Sequence, residues 1–195
     1  MLVPAGRSPY LRAMQSKLLL VVAAAALPSL ALAQHRATTH SPSHPAPARS
    51  ASTAPKSIGK FDDWQAVTHQ EAGQLVCYAF VRAASSQPAM AGRGDVVLTV
   101  TQRPGGRDAV AISAGFAYAP NADVQMSVDQ AQLGFYTAGR SAFARDGKAA
   151  VAAFEKARQA VAKSPGPRNT TVSDTFSLRG FSPAYAAVNK ACPAK

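Results

Sequence analysis

The chain has 195 residues and a mass of 20.2 kDa, with 21 Lys and Arg against 10 Asp and Glu, a formal charge of +11. That length admits one ordinary domain and not two sizeable ones. The 13 Gly and 14 Pro exclude a coiled coil, a single long apolar run excludes a multispanning membrane protein, and a strand-rich second half excludes a wholly disordered chain. Hydrophobic residues make up 47%, yet 42 of the 195 residues are Ala, so the core must rest on a modest set of Val, Ile, Leu, Phe and Tyr.

Residues 1–33 read as a secretory signal peptide. Arg7, Arg12 and Lys17 form a positive start, Leu18 to Leu27 is an apolar run, Pro28 breaks it, and Ala31-Leu32-Ala33 is an A-x-A cleavage site before Gln34. Met1 or Met14 can serve as the start. The apolar run falls short of the roughly 20 residues a spanning helix needs, so no transmembrane segment is expected after cleavage. Residues 34–60 read as a disordered Pro/Ser/His-rich linker that has almost nothing to bury. It holds His35, His40 and His44 at irregular spacing, which fits a solvated spacer better than a metal site. Removing the three basic residues of the leader and then Arg36, Arg49, Lys56 and Lys60 leaves 14 basic and 10 acidic residues from Phe61 onward, a charge of +4.

Residues 61–195 read as one mainly β domain, a β-sandwich or curled antiparallel sheet, with two short α-helices near 146–160 and 182–190. Strands are expected at Asp62 to Thr68, Gln74 to Arg82, Asp95 to Arg103, Asp108 to Tyr118, Val124 to Val128, Gln132 to Thr137 and Thr170 to Leu178. Pro104-Gly105-Gly106 and Pro165-Gly166-Pro167 are turn and loop signals. Asp146 is expected to cap the first helix, and Ser182, followed by Pro183, the second.

Cys77 and Cys192 are the only two cysteines. In an exported chain they read most economically as one disulfide closing a loop of roughly 115 residues. The alternative is a catalytic thiol with His69 as its base, but Val76-Cys77-Tyr78 has the pattern of a strand interior. No lipase-type serine motif, metalloprotease motif, phosphate loop or metal-spaced cluster is present, and no cofactor is implied. The Gly-rich stretches at 92–94 and 105–107 sit in hairpin loops, not before a helix, so they are not backbone phosphate cradles. Asp62-Asp63 reads as solvated surface. Asp174 is unusual within a strand and is expected to pair with Arg103 or Arg179. Most of Phe116, Tyr118, Phe135, Tyr136 and Phe143 are expected in the core.

Several motifs recur in a familiar order. They are Phe61-Asp62-Asp63-Trp64, then Val76-Cys77-Tyr78-Ala79, Arg93-Gly94-Asp95-Val96 with Thr101-Gln102-Arg103-Pro104, and Ser113-Ala114-Gly115-Phe116-Ala117-Tyr118. Phe135-Tyr136-Thr137 follows, then the run from Asp174 through Ser177, Leu178, Gly180 and Phe181 to Tyr185, and Ala191-Cys192. In this order they resemble the invasion-associated locus B family over residues 61–192. Phe143 stands where that pattern carries Trp. The resemblance implies an exported, β-rich bacterial envelope protein with a Cys pair and no catalytic residues. Trp64, Tyr78, Arg103, Pro104, Gly115, Asp174, Ser177, Leu178, Gly180 and Phe181 are its core and motif positions. The expected role is non-enzymatic binding or structure in the periplasm or at the outer membrane. Its partner is an envelope component, whether anionic lipid, lipopolysaccharide, wall polymer or protein, and not nucleic acid. The alternatives are a hydrolase built on His69 and a strand Asp such as Asp174, and a host-contact factor. An integrin-type use of Arg93-Gly94-Asp95 rests on only three residues.

Overall fold

Strand pairing organises the chain. The computed structural model describes residues 54–194; of the two units into which the chain divides, Met1–Pro47 and Ala48–Lys195, only the second contains described residues. The expected leader and most of the expected linker lie outside them. The strands are β1 (Lys56–Phe61), β2 (Trp64–Glu71), β3 (Gln74–Arg82), β4 (Ser85–Gln87), β5 (Val97–Arg103), β6 (Gly106–Ser113), β7 (Asp123–Val128), β8 (Ala131–Ala138), β9 (Ser141–Ala144), β10 (Gln159–Pro165) and β11 (Thr171–Ser177). The helices are α1 (Gly147–Phe154) and α2 (Phe181–Ala191), and a single 3₁₀ turn covers Pro167–Asn169.

All strands join one antiparallel sheet in the order β1-β2-β3-β5-β6-β9-β8-β7-β10-β11-β4. The curled sheet is therefore realised and the sandwich is not. The sheet stays open, but its two ends approach each other. β4 follows β3 after two residues, yet pairs with β11 at the far end of the order. The Ala84 amide donates to the Thr175 carbonyl at 2.8 Å, and the Trp64 indole N–H of β2 donates to the Ser177 carbonyl of β11 at 2.9 Å.

Alternation sets the inner face. In β5, Leu98, Val100 and Gln102 are buried while Thr99, Thr101 and Arg103 are less so, as the two-residue period of a strand requires. The concave side is filled by Trp64, Phe135, Phe154, Phe176, Phe181, Leu98, Ile112 and Met126. Helix α1 packs on β6 and β8, and α2 packs on β1, β2 and β3. The two helices meet through Phe154 and Phe181, whose rings lie edge to face at 5.4 Å, and Phe181 meets Trp64 in the same way at 4.9 Å. Such aromatic pairs supply the large buried area that an Ala-rich composition otherwise lacks.

Four local expectations are corrected. The helix expected over 146–160 ends at Phe154, and Gln159 and Ala160 begin β10. Alanine favours helix locally, but β10 exchanges hydrogen bonds with both β7 and β11, and that pairing overrides the weaker propensity. Asp146 does cap α1, accepting a hydrogen bond from the Ala149 amide at 2.9 Å. Helix α2 is capped by Gly180 at φ 83° without a side-chain bond, not by Ser182. Lys56 to Lys60, read as linker, form most of β1, because β2 offers them a partner edge. Finally, Asp62 and Asp63 form the β1–β2 turn, with Asp62 at φ 47°, so the next strand starts at Trp64 rather than Asp62. The short strands β4 and β9 fall in stretches for which no strand is expected from the sequence.

Candidate functional site

A buried ion pair anchors the segment between β4 and β5. Arg93 binds Asp174 of β11 with two parallel bonds, Nη1 to Oδ1 at 2.8 Å and Nη2 to Oδ2 at 2.7 Å. The side chains are 6% and 3% exposed. Ser86 of β4 donates to Asp174 Oδ1 at 2.7 Å, and Arg93 Nε donates to the Ala114 carbonyl at 2.8 Å. The guanidinium also lies 5.1 Å from the centre of the Phe116 ring, within cation–π range. Asp174 thus accepts three bonds. A bidentate Arg–carboxylate pair of this kind is among the strongest polar contacts a protein makes. Arg93, not Arg103 or Arg179, is its partner. Arg103 instead meets Glu71 at 2.9 Å on the surface, and Arg179 lies 3.9 Å from Asp62. The signal for Arg93 was present in its Gly-Arg-Gly setting, but 81 residues separate the pair, and no local rule links them.

Tyr118 sits beside this pair. Burial raises its phenol above the ordinary 10.0, the Ser164 hydroxyl opposes that, and the Asp174 charge reinforces it. Close approach of two loops completes the setting. Gly115 has φ 74°, and a Cβ there would overlap the Gly94 carbonyl; the Gly94 amide donates to the Gly115 carbonyl at 3.1 Å. Only glycine meets both demands.

An open cleft of about 370 Å³ lies over these loops. Its floor includes Met90, Phe116 and Ala117, and its rim carries Arg140 and Arg168. Arg140 Nη2 donates to the Gly115 carbonyl at 2.7 Å. Among the described residues, neither Arg140 nor Arg168 has a carboxylate within salt-bridge distance. Because Asp174 neutralises Arg93, these two exposed guanidiniums give the cleft its positive charge.

The remaining motif residues are structural in placement. Cys77 and Cys192 form a disulfide with Cα atoms 5.9 Å apart, tying the end of α2 to β3. A bonded sulfur cannot serve as the thiol nucleophile. Trp64, Leu178 and Phe181 are buried. Ser177 Oγ donates to Asp63 at 2.7 Å, which holds the β1–β2 turn against the end of β11. A Cβ at Gly180 would overlap the Phe61 carbonyl. Tyr78 faces the outer side of the sheet, edge to face with His69 at 5.5 Å. Pro104 begins the β5–β6 turn beside Arg103, and both line an apolar hollow near the disulfide with Leu75 and Arg107. A second polar cluster was not foreseen. Buried Gln102 exchanges two bonds with Asp108, and Tyr185 of α2 donates to the same carboxylate at 2.6 Å. Burial, and then the bond to Asp108, raise the Tyr185 phenol.

His69 of β2 packs on Tyr78, and its buried Nδ1 has no hydrogen-bond partner. It is not joined to Asp174, whose hydrogen bonds come from Arg93 and Ser86. Among the described residues, no group of three His, Cys, Asp or Glu side chains is placed to hold a metal ion. Of the five aromatic residues between 116 and 143, Phe116, Tyr118 and Phe135 are buried. Tyr136 is 47% exposed and stacks on the half-buried Phe143 at 5.6 Å.

Comparison with known proteins agrees with the motif order. A solved structure described as invasion associated protein B from Bartonella henselae matches with a TM-score of 0.50 and 18% identity, over 68% of this chain and 95% of that one. At that identity the likeness speaks to the fold. No curated protein matches the chain. The family model described as Invasion associated locus B (IalB) protein matches residues 64–189, from the indole that bridges the sheet ends to the last turns of α2, and the chain belongs to that family.

Proposed function

We propose that this protein is an exported, non-enzymatic component of the bacterial envelope whose role is binding or structural. One observation carries this reading. Arg93 and Ser86 hold the Asp174 carboxylate, and His69 lies against Tyr78. The His69–Asp174 set considered for hydrolysis is therefore not assembled, and general acid–base work needs its groups within hydrogen-bond reach. The open cleft, with two guanidiniums that have no carboxylate partner among the described residues, favours recognition instead.

Export is supported by the leader-like pattern of residues 1–33 and by the disulfide, which persists in oxidising compartments. Residues 34–55 then act as a spacer ahead of β1, and the protein resides in the periplasm or against the outer membrane. An integrin-type use of Arg93-Gly94-Asp95 is disfavoured, because Arg93 is buried on Asp174 and Asp95 pairs with Arg82. The partner is an envelope component, such as anionic lipid, lipopolysaccharide, wall polymer or protein.

The test is fractionation followed by capture. The protein recovered from the periplasmic or outer-membrane fraction should begin at Gln34. It should retain an envelope component from detergent extract, as should a form lacking residues 34–55 and a His69→Ala variant. Recovery of an uncleaved chain from the cytoplasm would overturn the proposal. So would hydrolysis of envelope material that disappears in His69→Ala.

A further inference from the structure

We infer that the Arg140–Arg168 cleft is a binding site for a phosphate-bearing headgroup; this deepens the envelope-binding role proposed above and rests on it. Three observations converge. First, the charge is unspent. Arg93 is neutralised at the back of the cleft by Asp174, while Arg140 and Arg168 line its mouth with no carboxylate partner among the described residues. A planar guanidinium carries several donors in a fork that matches phosphate oxygens, and two line this one cleft. Second, carbon surface lies beside the charge. Met90, Phe116 and Ala117 offer carbon surface to whatever the phosphate is attached to, and the volume of about 370 Å³ is in the range of small-ligand sites. Third, the backbone is strained to place the rim. Arg168 has φ of 56°, a left-handed conformation unfavourable for a long side chain, beside Asn169 at 57°, a residue type that tolerates it. The loop from Pro167 is short and exposed, so glycine would fit at 168 with less strain; the chain has a long cation there instead.

Recognition here is by side chains, consistent with glycines at 92–94 that precede a strand rather than a helix. Arg140 is held in place by its bond to the Gly115 carbonyl, and Gly115 by its approach to Gly94. The rim charge at Arg140 is thus preorganised. A phosphate can come from a lipid headgroup or from a soluble phosphorylated glycan. The shared chemistry is the same, and the carbon surface accommodates either a glycerol backbone or a sugar face.

The experiment titrates the exported protein with inorganic phosphate by calorimetry. In parallel it measures sedimentation with phosphatidylglycerol vesicles and with phosphatidylcholine vesicles. Two variants are compared with the parent. Arg168→Gly suits the left-handed backbone and keeps the fold while deleting one cation. Arg140→Gln removes the other cation and, being shorter, also the bond to the Gly115 carbonyl. The expected result is phosphate binding that weakens with salt and falls at least about tenfold in each variant, with unchanged melting behaviour in Arg168→Gly. Stronger sedimentation with phosphatidylglycerol than with phosphatidylcholine, lost in both variants, assigns the phosphate to a lipid; phosphate binding without sedimentation assigns it to a soluble glycan. The inference is overturned if neither phosphate nor anionic vesicles bind, or if both variants bind as the parent does. Retention of an envelope component by both variants would remove this site and leave the wider role intact. Failure of the parent to retain any would remove the role itself.

Discussion

Arg93 and Asp174 show what one residue pair can decide. Both charges are almost fully withdrawn from water, and each satisfies the other. Removing one partner strands the other as a buried charge, which costs about 3–5 kcal/mol, whereas replacing both with apolar groups of similar size costs far less. Arg93→Met alone and Asp174→Leu alone should therefore each destabilise the protein by that amount, and the double variant by clearly less than the sum. Urea unfolding followed by fluorescence of Trp64, the only tryptophan, measures the cycle. Equal additivity would mean the pair is not coupled. Tyr118 offers a pH readout at the same place. Its folded phenol is raised above 10.0 chiefly by burial, so the unfolded chain releases this proton first as pH rises. Stability is thus fully present below about pH 10 and declines as pH climbs toward the folded value. Tyr118→Phe should flatten the alkaline decline in stability while leaving the neutral-pH slope unchanged.

At the scale of elements, turns and close approaches matter more than propensity. Gly115 and Gly73 both have left-handed backbones, but a Cβ at Gly115 would overlap the Gly94 carbonyl, while one at Gly73 would meet open space. Substitution by Ala should separate the two costs. Gly73→Ala should lose about 1 kcal/mol from backbone strain alone, and Gly115→Ala about 2–4 kcal/mol because the loops must also part. Paired thermal melts check this, and equal losses would show that the close approach contributes nothing. The same scale explains where local reading stopped. Residues 147–154 form the helix that Asp146 and the Ala-rich run announce. Residues 159–165 also carry Ala but lie between β7 and β11, and two ladders of backbone hydrogen bonds outweigh a few tenths of a kcal/mol per residue of helix preference.

Across the whole molecule, one long-range bond joins elements far apart in the chain. Cys77 and Cys192 are separated by 115 residues, and in the loop-entropy account such a closure contributes up to about 4–5 kcal/mol. Oxidised protein and a Cys77→Ala, Cys192→Ala variant should therefore differ by several kcal/mol in urea unfolding. A difference below about 1 kcal/mol would mean that α2 is already held by Phe181 and Trp64 without the bridge. Net charge also changes meaning at this scale. The +11 of the full sequence belongs largely to the leader-like segment and the residues that follow it, and of what remains folding brings Arg140 and Arg168 to one cleft.

Much of the fold was legible in the chain itself. Alternation and turn residues mark most strands, Asp146 marks a helix start, and the only two cysteines mark a bond. These are local or counting signals, and the physics behind them acts within a few residues. The order of the motifs likewise pointed to the family that the comparison then showed. The tertiary structure alone decided that one sheet curls on itself, that Arg93 rather than Arg103 or Arg179 neutralises Asp174, and that two arginines 28 positions apart share a cleft. Those outcomes depend on which strand edges meet and which charges are thereby removed from water. The cost of leaving a buried charge or a backbone group unpaired arises only once the strands have packed around it.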